Sequence, residues 1–298
     1  MSKSARPRRS VLYMPGSNTR ALEKGRTLAA DGLILDLEDA VAPDAKETAR
    51  GQIRDALAKG GYGKRELIVR VNAMDTPWGL DDLSAAATMG ADAVLLPKVE
   101  SAGAVHQAEE IMETAGAPDD LAVWCMMETP LGMLHAEEIA HASHRVGALV
   151  MGTSDLAKDL QCAHTPDRLP FLTSLGLCML AARSAGIVIL DGVHLNLNDD
   201  GGFEYSCKQG AEMGFDGKTL IHPKTIDAAN KAFSPPPQII EWSKKIIVAH
   251  AEAAAEGKGV VVVEGKLIEN LHVMNAERLV ALSEAIEIME KDLISATD

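Results

Sequence analysis

The chain has 298 residues, 47% hydrophobic and 24% charged, which is enough to bury one large core with a modest surplus. A net charge of −14 argues against nucleic acid or an anionic membrane as partner, and no apolar run approaches the ~18 residues of a membrane span. The four cysteines are scattered, and no separate apolar signal region precedes the first predicted strand, so we expect a reduced, cytoplasmic protein.

Short apolar runs rich in Val, Leu and Ile recur along the chain, and each is followed by a polar turn and an amphipathic helical pattern. This alternation predicts βα units that build a parallel sheet. The predicted strands are residues 10–14, 33–37, 67–71, 93–96, 122–127, 148–151, 187–190 and 219–221. Eight such units, without G-x-G-x-x-G after the first strand, favour an α/β fold of the closed (β/α)₈ barrel type over an open doubly wound sheet.

The pattern changes at Ser234, which is followed by three consecutive prolines. We therefore predict a catalytic barrel at residues 1–234 and a C-terminal lid extension at residues 235–298. Within the extension we expect a helix at 239–256, a strand at 260–263, a turn at 264–266 and a last helix at 273–291. An extension of this size is too small to fold well alone, so it should pack on its own barrel or on a neighbouring subunit.

Charged or polar residues follow most of the predicted strands, at the barrel end where active sites of this fold lie. In chain order these residues are Asp36, Glu38, Asp39, Arg70, Asn72, Pro97-Lys98, Glu128, Asp155, Asp191 and His222. A single strand-end carboxylate is more often a helix cap or a solvated loop residue. The recurrence of charged or polar residues at seven strand ends favours one shared site.

Glu128 and Asp155 follow consecutive strands and offer the oxygen ligands that Mg²⁺ prefers, whereas no histidine or cysteine cluster indicates zinc. Arg70 could place a fixed positive charge beside a developing oxyanion. The alternative for Arg70 is a structural ion pair with Glu38 or Asp39.

The residues after the first strand, 15–20, open a helix with Ser17 or Asn18 as its N-cap. A helix N-terminus near Arg20 and Lys24 suits a phosphate group. A solvated helical face is an equally good explanation of these two cations.

Seven segments resemble the citrate lyase β-subunit-like family of the HpcH/HpaI aldolase superfamily, which includes malyl-CoA and citramalyl-CoA lyases. They are RSVLYMPGS at 9–17, LDLEDAVAP at 35–43, VRVN at 69–72, LPKVE at 96–100, METPLG at 127–132, GTSDL at 152–156 and GKTLIHP at 217–223. The segments occur in order and span nearly the whole chain. The resemblance is therefore more specific than any single motif.

The resemblance implies a homotrimer, or a hexamer built as a dimer of trimers, in which Glu128 and Asp155 bind Mg²⁺, with Mn²⁺ as a substitute. It also implies that Arg70 contacts the oxygen of a 2-oxo acid, while Glu38 and Asp39 position water on the metal or orient Arg70. Together with the strand-end positions, it assigns substrate or CoA binding to Arg20, Lys24, Pro97, Lys98, Gly152, Thr153 and Ser154.

In the resembled lyases the extension closes over a neighbouring subunit and delivers an acidic residue, usually an aspartate after G-x-hydrophobic-hydrophobic. Here residues 265–268 are followed by Glu269, which has the longer side chain. One extra methylene moves a carboxylate by about 1 Å, and misplacements of that size can cost roughly 10²-fold in rate. The reaction type therefore stays open at this point.

The expected activity is reversible cleavage of a malyl-CoA or citramalyl-CoA type ester into acetyl-CoA and glyoxylate or pyruvate. The alternatives are a (3S)-malyl-CoA thioesterase, a citrate lyase β subunit that depends on a larger complex, and a CoA-independent 2-oxo-acid aldolase. The expected partners are these small molecules, not nucleic acid or a membrane.

Overall fold

The computed structural model describes residues 5–295, and its largest element is a closed barrel of eight parallel strands. The strands are β1 (Ser10–Pro15), β2 (Gly32–Asp36), β3 (Glu66–Arg70), β4 (Ala93–Leu96), β5 (Ala122–Met127), β6 (Val146–Met151), β7 (Val188–Asp191) and β8 (Gly217–Leu220). Each strand pairs with the next along the chain, and β8 pairs with β1. The predicted (β/α)₈ barrel is confirmed, and every predicted strand end lies within two residues of the observed one.

Helices connect successive strands and follow the last one. Within residues 8–233 they are α1 (Thr19–Gly25), α2 (Lys46–Lys59), α3 (Gly79–Ala86), α4 (Ala102–Thr114), α5 (Pro130–Leu134), α6 (Ala136–Ala140), α7 (Thr153–Leu160), α8 (Leu172–Ala185), α9 (Asp200–Met213) and α10 (Ile226–Phe233). Several of these helices have a short polar side chain as their N-cap. Asn18 caps α1 by accepting a hydrogen bond from the Ala21 N–H, and Ser101 and Thr129 cap α4 and α5 in the same way.

Successive side chains of each strand face either the barrel interior or the helix layer, because a strand has a side-chain period of two. One buried cluster fills the interior and contains Val11, Ile34, Ile68, Trp124, Met126 and Leu190. A larger cluster, with Leu12, Leu33 and Leu35, lies between the strands and the helices. The side chain two positions after an interior residue faces the interior again, and in these strands it lies at the carboxyl end of the barrel. The residues placed there are Tyr13, Asp36, Arg70 and Glu128.

Residues 234–295, with residues 5–7, form a second compact unit, whereas Arg8–Phe233 form the first. The second unit contains α11 (Pro237–Ala255), a hairpin of β9 (Val261–Val263) and β10 (Lys266–Ile268), and α12 (Asn270–Ser295). The hairpin turn is Glu264-Gly265, and both residues have positive φ, as a two-residue hairpin of the primed type requires. The expected strand, turn and helices are therefore present, but Lys266 belongs to β10, and α12 begins three residues earlier than expected.

None of the helices within residues 5–295 is both long enough and apolar enough to cross a bilayer.

A buried ion network lies in the helix layer beside β7 and β8. Asp191 accepts hydrogen bonds from Lys218 Nζ at 2.8 Å and from Arg168 Nη1 at 2.6 and 2.7 Å. Burial by itself raises the pKa of Asp191, but the Lys218 ammonium and the Arg168 guanidinium outweigh it and hold the pKa below its usual range. Asp191 and Lys218 are almost fully buried, so neither charge is compensated by solvent.

Replacing Asp191 by Asn should lower the free energy of unfolding at pH 7 by about 3–5 kcal/mol, because it leaves the buried Lys218 and the partly buried Arg168 without a counter-charge. A depressed carboxyl pKa stabilises the fold above the unfolded pKa of about 3.9 and loses that effect as the pH falls through the folded value. The difference between the parent and the variant in urea unfolding should therefore shrink below about pH 4.

The control is Asp200→Asn, which removes an exposed carboxylate paired with Lys224 and should cost at most about 1 kcal/mol. Equal losses in the two variants would contradict the role of the network.

Candidate active site

A cavity of about 310 Å³ opens at the carboxyl ends of the barrel strands. Its polar lining includes Asp36, Asp39, Arg70, Glu128, Thr153, Ser154 and Asp155. Its apolar lining includes Tyr13, Met126, Met151, Val193, Leu195 and Ile221. Eight residues singled out from the sequence therefore line one cavity, namely Asp36, Asp39, Arg70, Glu128, Gly152, Thr153, Ser154 and Asp155.

Arg70 is held chiefly by Asp36. Its Nε and Nη2 donate to the two Asp36 carboxylate oxygens, both at 2.7 Å. Glu38 lies 2.6 Å from Nη1, whereas Asp39 lies at 3.4 Å and its side chain is 69% exposed. The Tyr13 ring stacks against the guanidinium at 4.8 Å. Arg70 thus combines the expected ion pair to Glu38 with a stronger, two-bond contact to Asp36.

Glu128 is buried and is oriented by the backbone of Lys98. The Lys98 N–H donates to Glu128 Oε1 at 2.8 Å. Lys98 has a left-handed backbone conformation, with φ of 49°, which is uncommon outside glycine. Its ammonium lies 3.7 Å from Asp155 and 4.0 Å from Glu38. Lys98 therefore connects three carboxyl groups at the mouth of the barrel.

The sequence model of the HpcH/HpaI aldolase/citrate lyase family matches residues 9–223. The chain belongs to this family. Among its relatives, the (3S)-malyl-CoA thioesterase of Cereibacter sphaeroides is 51% identical over 286 residues, which cover 96% of this chain and 98% of that protein. The citrate lyase subunit beta of Escherichia coli K12 is 36% identical, with 97% of both chains covered.

A solved structure of CitE from Mycobacterium tuberculosis in complex with magnesium, acetoacetate and coenzyme A is similar, with a TM-score of 0.73 and 28% identity. The match covers 94% of this chain and 99% of that one. The expected resemblance to citrate lyase β subunits is confirmed. The chain is thus an enzyme of the citrate lyase β-like class, which includes lyases that act on CoA esters or citrate.

Magnesium binding is a property of this family, since further CitE structures contain magnesium with acetoacetate or with oxaloacetate. The charges in our structure fit such an ion. Five carboxyl groups lie near three cations, Arg70, Lys98 and Lys46, and these carboxyl groups belong to Asp36, Glu38, Asp39, Glu128 and Asp155. A divalent cation would offset this excess of negative charge.

Burial raises the pKa of Glu128 to about 7, although the Lys98 N–H and Arg70 lower it, and the neighbouring Asp155 raises it further. Within residues 5–295 we find no hydrogen-bond donor for Glu128 Oε2, and no cluster of three His, Cys, Asp or Glu side chains that could hold a metal. A metal ion at Glu128 and Asp155 would therefore have two protein ligands and keep positions for water and substrate.

The family segment GTSDL begins α7 at the edge of the cavity. A Cβ at Gly152 would come within 2.5 Å of Glu128 Oε2, so only glycine permits this close approach. The Thr153 and Ser154 backbones form the first turn of α7, whose N–H groups have no partner within the helix. The Ser154 hydroxyl is buried without a partner in the described part of the chain. This edge of the cavity suits a carboxylate.

Other expected site residues are not among those that line the cavity. Arg20 and Lys24 are exposed on α1 and make no ion pair among residues 5–295, while Pro97 is buried directly after β4. Glu269 belongs to the second unit, where it is exposed between β10 and α12 and its backbone N–H donates to His272 Nδ1. The roles assigned to these residues remain predictions.

Six strand-end residues from the sequence analysis do not line the cavity, namely Glu38, Asn72, Pro97, Lys98, Asp191 and His222. Asp191 follows the interior residue Leu190 by one position, so it faces the helix layer. His222 is exposed and caps a short helical turn by accepting from the Lys224 N–H. Asn72 is buried, where it donates to the Leu37 carbonyl oxygen.

Tyr13 was not selected from the sequence, and Asp36 was placed at the shared site without being given a role; both line the cavity. Both could have been found from the alternation of side chains along their strands. Each lies two positions after an interior residue, Val11 or Ile34.

Proposed function

We propose that the chain is a Mg²⁺-dependent lyase for a malyl-CoA type ester. It cleaves a carbon–carbon bond of this ester to give acetyl-CoA and a 2-oxo acid. The observation that carries this proposal is the convergence of Arg70, Glu128 and Asp155 on one cavity with an apolar wall. The thioesterase relative, at 51% identity, supports the malyl-CoA type over the citramalyl-CoA type.

When bound at Glu128 and Asp155, Mg²⁺ would supply Lewis-acid polarisation of the substrate oxygens. Arg70 keeps N–H groups on Nη1 and Nη2 beyond the two that Asp36 uses, and these can donate to the oxygen that becomes the carbonyl of the 2-oxo acid. The N–H groups at the start of α7 would hold the carboxylate of that acid. The apolar wall excludes water from the reacting carbons.

Cleavage requires that the substrate hydroxyl lose a proton and that the acetyl carbon gain one. Burial raises the pKa of Glu38 to about 7, against the lowering effect of Arg70, so Glu38 can accept a proton near neutral pH. As the C–C bond breaks, its electron pair passes to the acetyl thioester as an enolate. We assign the protonation of this enolate to Glu269 of a neighbouring subunit, on the resemblance described above.

Hydrolysis of the thioester is a second candidate function, and the malyl-CoA thioesterase relative is the observation that favours it. Both reactions use the same substrate and the same groups around its hydroxy acid. They differ in whether water reaches the thioester carbonyl.

Mass spectrometry of the products that the purified chain forms from malyl-CoA and citramalyl-CoA, with Mg²⁺ or with excess chelator, tests the proposal. Acetyl-CoA plus glyoxylate would support cleavage, whereas malate plus free CoA would establish hydrolysis. No turnover by the chain alone would instead support a subunit that depends on a complex. Activity restricted to free hydroxy acids would support a CoA-independent aldolase.

The CoA phosphates are assigned to Arg20 and Lys24, which are exposed and make no ion pair in the described part of the chain. Replacing both by Ala should raise KM for the CoA ester about tenfold and leave kcat within twofold, because contacts far from the reacting carbon act through uniform binding. Steady-state kinetics would measure this. The matched control replaces the exposed cations Lys208 and Lys244, and an unchanged KM in the Arg20/Lys24 variant would place the phosphates elsewhere.

The assignment of Glu269 predicts complementation between subunits of the proposed homotrimer. Glu269→Ala and Asp155→Asn should each be inactive alone, and activity should partly return when the two variants exchange subunits. Mixed oligomers would then contain sites with intact metal ligands and an intact Glu269. Recovery is measured as turnover after exchange has been demonstrated by native mass spectrometry. Failure to recover, or full activity of the Ala variant alone, would contradict the assignment.

A further inference from the structure

Asp36 and Arg70 are neighbours across two strands of the barrel. Each is the last residue of its strand, and the register of β2 and β3 pairs their Cα positions. Side chains of paired residues in neighbouring parallel strands point to the same face. Both therefore point into the carboxyl end of the barrel, where they line the cavity.

The contact between them leaves Arg70 little freedom. Both Asp36 oxygens receive an Arg70 N–H at 2.7 Å, an arrangement that determines the plane of the guanidinium as well as its position. Asp36 is fully buried, so water does not compete for its oxygens. The Tyr13 ring, 4.8 Å away, covers the guanidinium.

The same carboxylate also holds the loop that follows β2. Asp36 Oδ1 accepts from the Glu38 N–H at 2.9 Å, and Oδ2 accepts from the Ala40 N–H at 3.1 Å. Each oxygen thus has one bond to Arg70 and one to the loop. Glu38, which this loop carries, lies 2.6 Å from Arg70 Nη1.

We propose that Asp36 is the positioning residue of this site: it holds Arg70 and the loop of Glu38 in one geometry, and the reaction depends on that geometry. This inference rests on the proposed function, in which Arg70 contacts a substrate oxygen. Asp36 acts only through its neighbours and is not a catalytic residue. A misplacement of about 1 Å can cost roughly 10²-fold in rate, so the effect of losing Asp36 should fall on kcat.

The test compares Asp36→Asn with Asp31→Asn. Asp31 makes an equivalent buried two-bond contact with Arg9, at 2.9 Å for both bonds, and lies before β2 at the opposite end of the barrel. Both variants should lose stability. Only Asp36→Asn should lower kcat, by about 10–100-fold. Equal kcat in the parent and Asp36→Asn would overturn the proposal.

A double-mutant cycle separates positioning from a general structural effect. Because Asp36 acts in part through Arg70, the loss of kcat caused by Asp36→Asn should be clearly smaller when Arg70 is already Lys, and the remaining loss reflects the loop of Glu38. Losses that multiply in full would overturn the proposal. Asp36→Glu keeps the negative charge and offers a second variant if Asp36→Asn does not fold. It should still lower kcat about tenfold, because its carboxylate is displaced by one methylene.

A crystal structure of either Asp36 variant supplies a readout independent of turnover. The Arg70 guanidinium should be displaced by about 1 Å or more, or disordered, relative to the parent. If the parent turns over no CoA ester, the proposed function fails, and this displacement alone decides whether Asp36 positions Arg70. An unmoved Arg70 would overturn the inference in either case.

Discussion

Glu128→Gln and Asp155→Asn should each lower kcat by about 10³-fold or more, because loss of a metal that stabilises the transition state by about 4 kcal/mol corresponds to that factor. Both substitutions preserve size and remove the charge that a hard cation requires. Glu128→Gln also keeps an oxygen for the Lys98 N–H, which now lies 2.8 Å from Oε1. The folded structure should therefore persist.

Two measurements check this expectation. Isothermal titration calorimetry with Mg²⁺ should detect binding to the parent and not to either variant, and circular dichroism should report an unchanged fold. Asp159→Asn is the matched control, since Asp159 is an exposed carboxylate on the same helix as Asp155 and does not line the cavity. Mg²⁺ binding that survives in both variants would move the metal site away from Glu128 and Asp155.

Arg70→Lys should lower kcat/KM by about 10²-fold or more, in line with the loss of an oxyanion donor. An ammonium cannot reproduce the planar fork that contacts Asp36 through two nitrogens while a third faces Glu38. The substitution keeps the positive charge, so the loss reports geometry more than charge.

Arg145→Lys provides the matched control for Arg70. Arg145 is also buried, but its guanidinium donates to the backbone carbonyl oxygens of Pro118, Asp119 and Leu121, outside the cavity lining. We expect this variant to lose stability and to keep kcat within about twofold. If Arg70→Lys changes kcat/KM by less than threefold, Arg70 has a structural role alone.

The positions of the barrel strands could be predicted from short stretches of the sequence. A buried parallel strand is a short run of apolar residues, and the following polar turn and helix complete a unit whose pattern is local in the chain. All eight strands were therefore predictable to within two residues. The hairpin in the second unit was only partly predictable, because Lys266-Leu267-Ile268 is short and pairs with β9 across two turn residues.

The site residues could be predicted only in part from their positions at strand ends. Position at a strand end placed Arg70, Glu128 and Asp155 in one group, and the structure brings them to one cavity. The same rule also selected Asp191, which faces the helix layer and forms an ion network there. Counting positions from the interior apolar residue of each strand distinguishes the two cases, because side chains alternate.

The amino-acid sequence alone determined the succession of strands along the chain, the barrel type of fold and the residues at the carboxyl ends of the strands. Each of these follows from the periodicity of a few neighbouring residues. The pairing of groups within the site was decided by tertiary structure. Asp36 meets Arg70 because β2 and β3 pair in one register, and Lys98 meets Glu128 because its left-handed backbone directs an N–H across to the loop of the next strand. These contacts join residues 34 and 30 positions apart, so only the pairing of neighbouring strands brings them within hydrogen-bond distance.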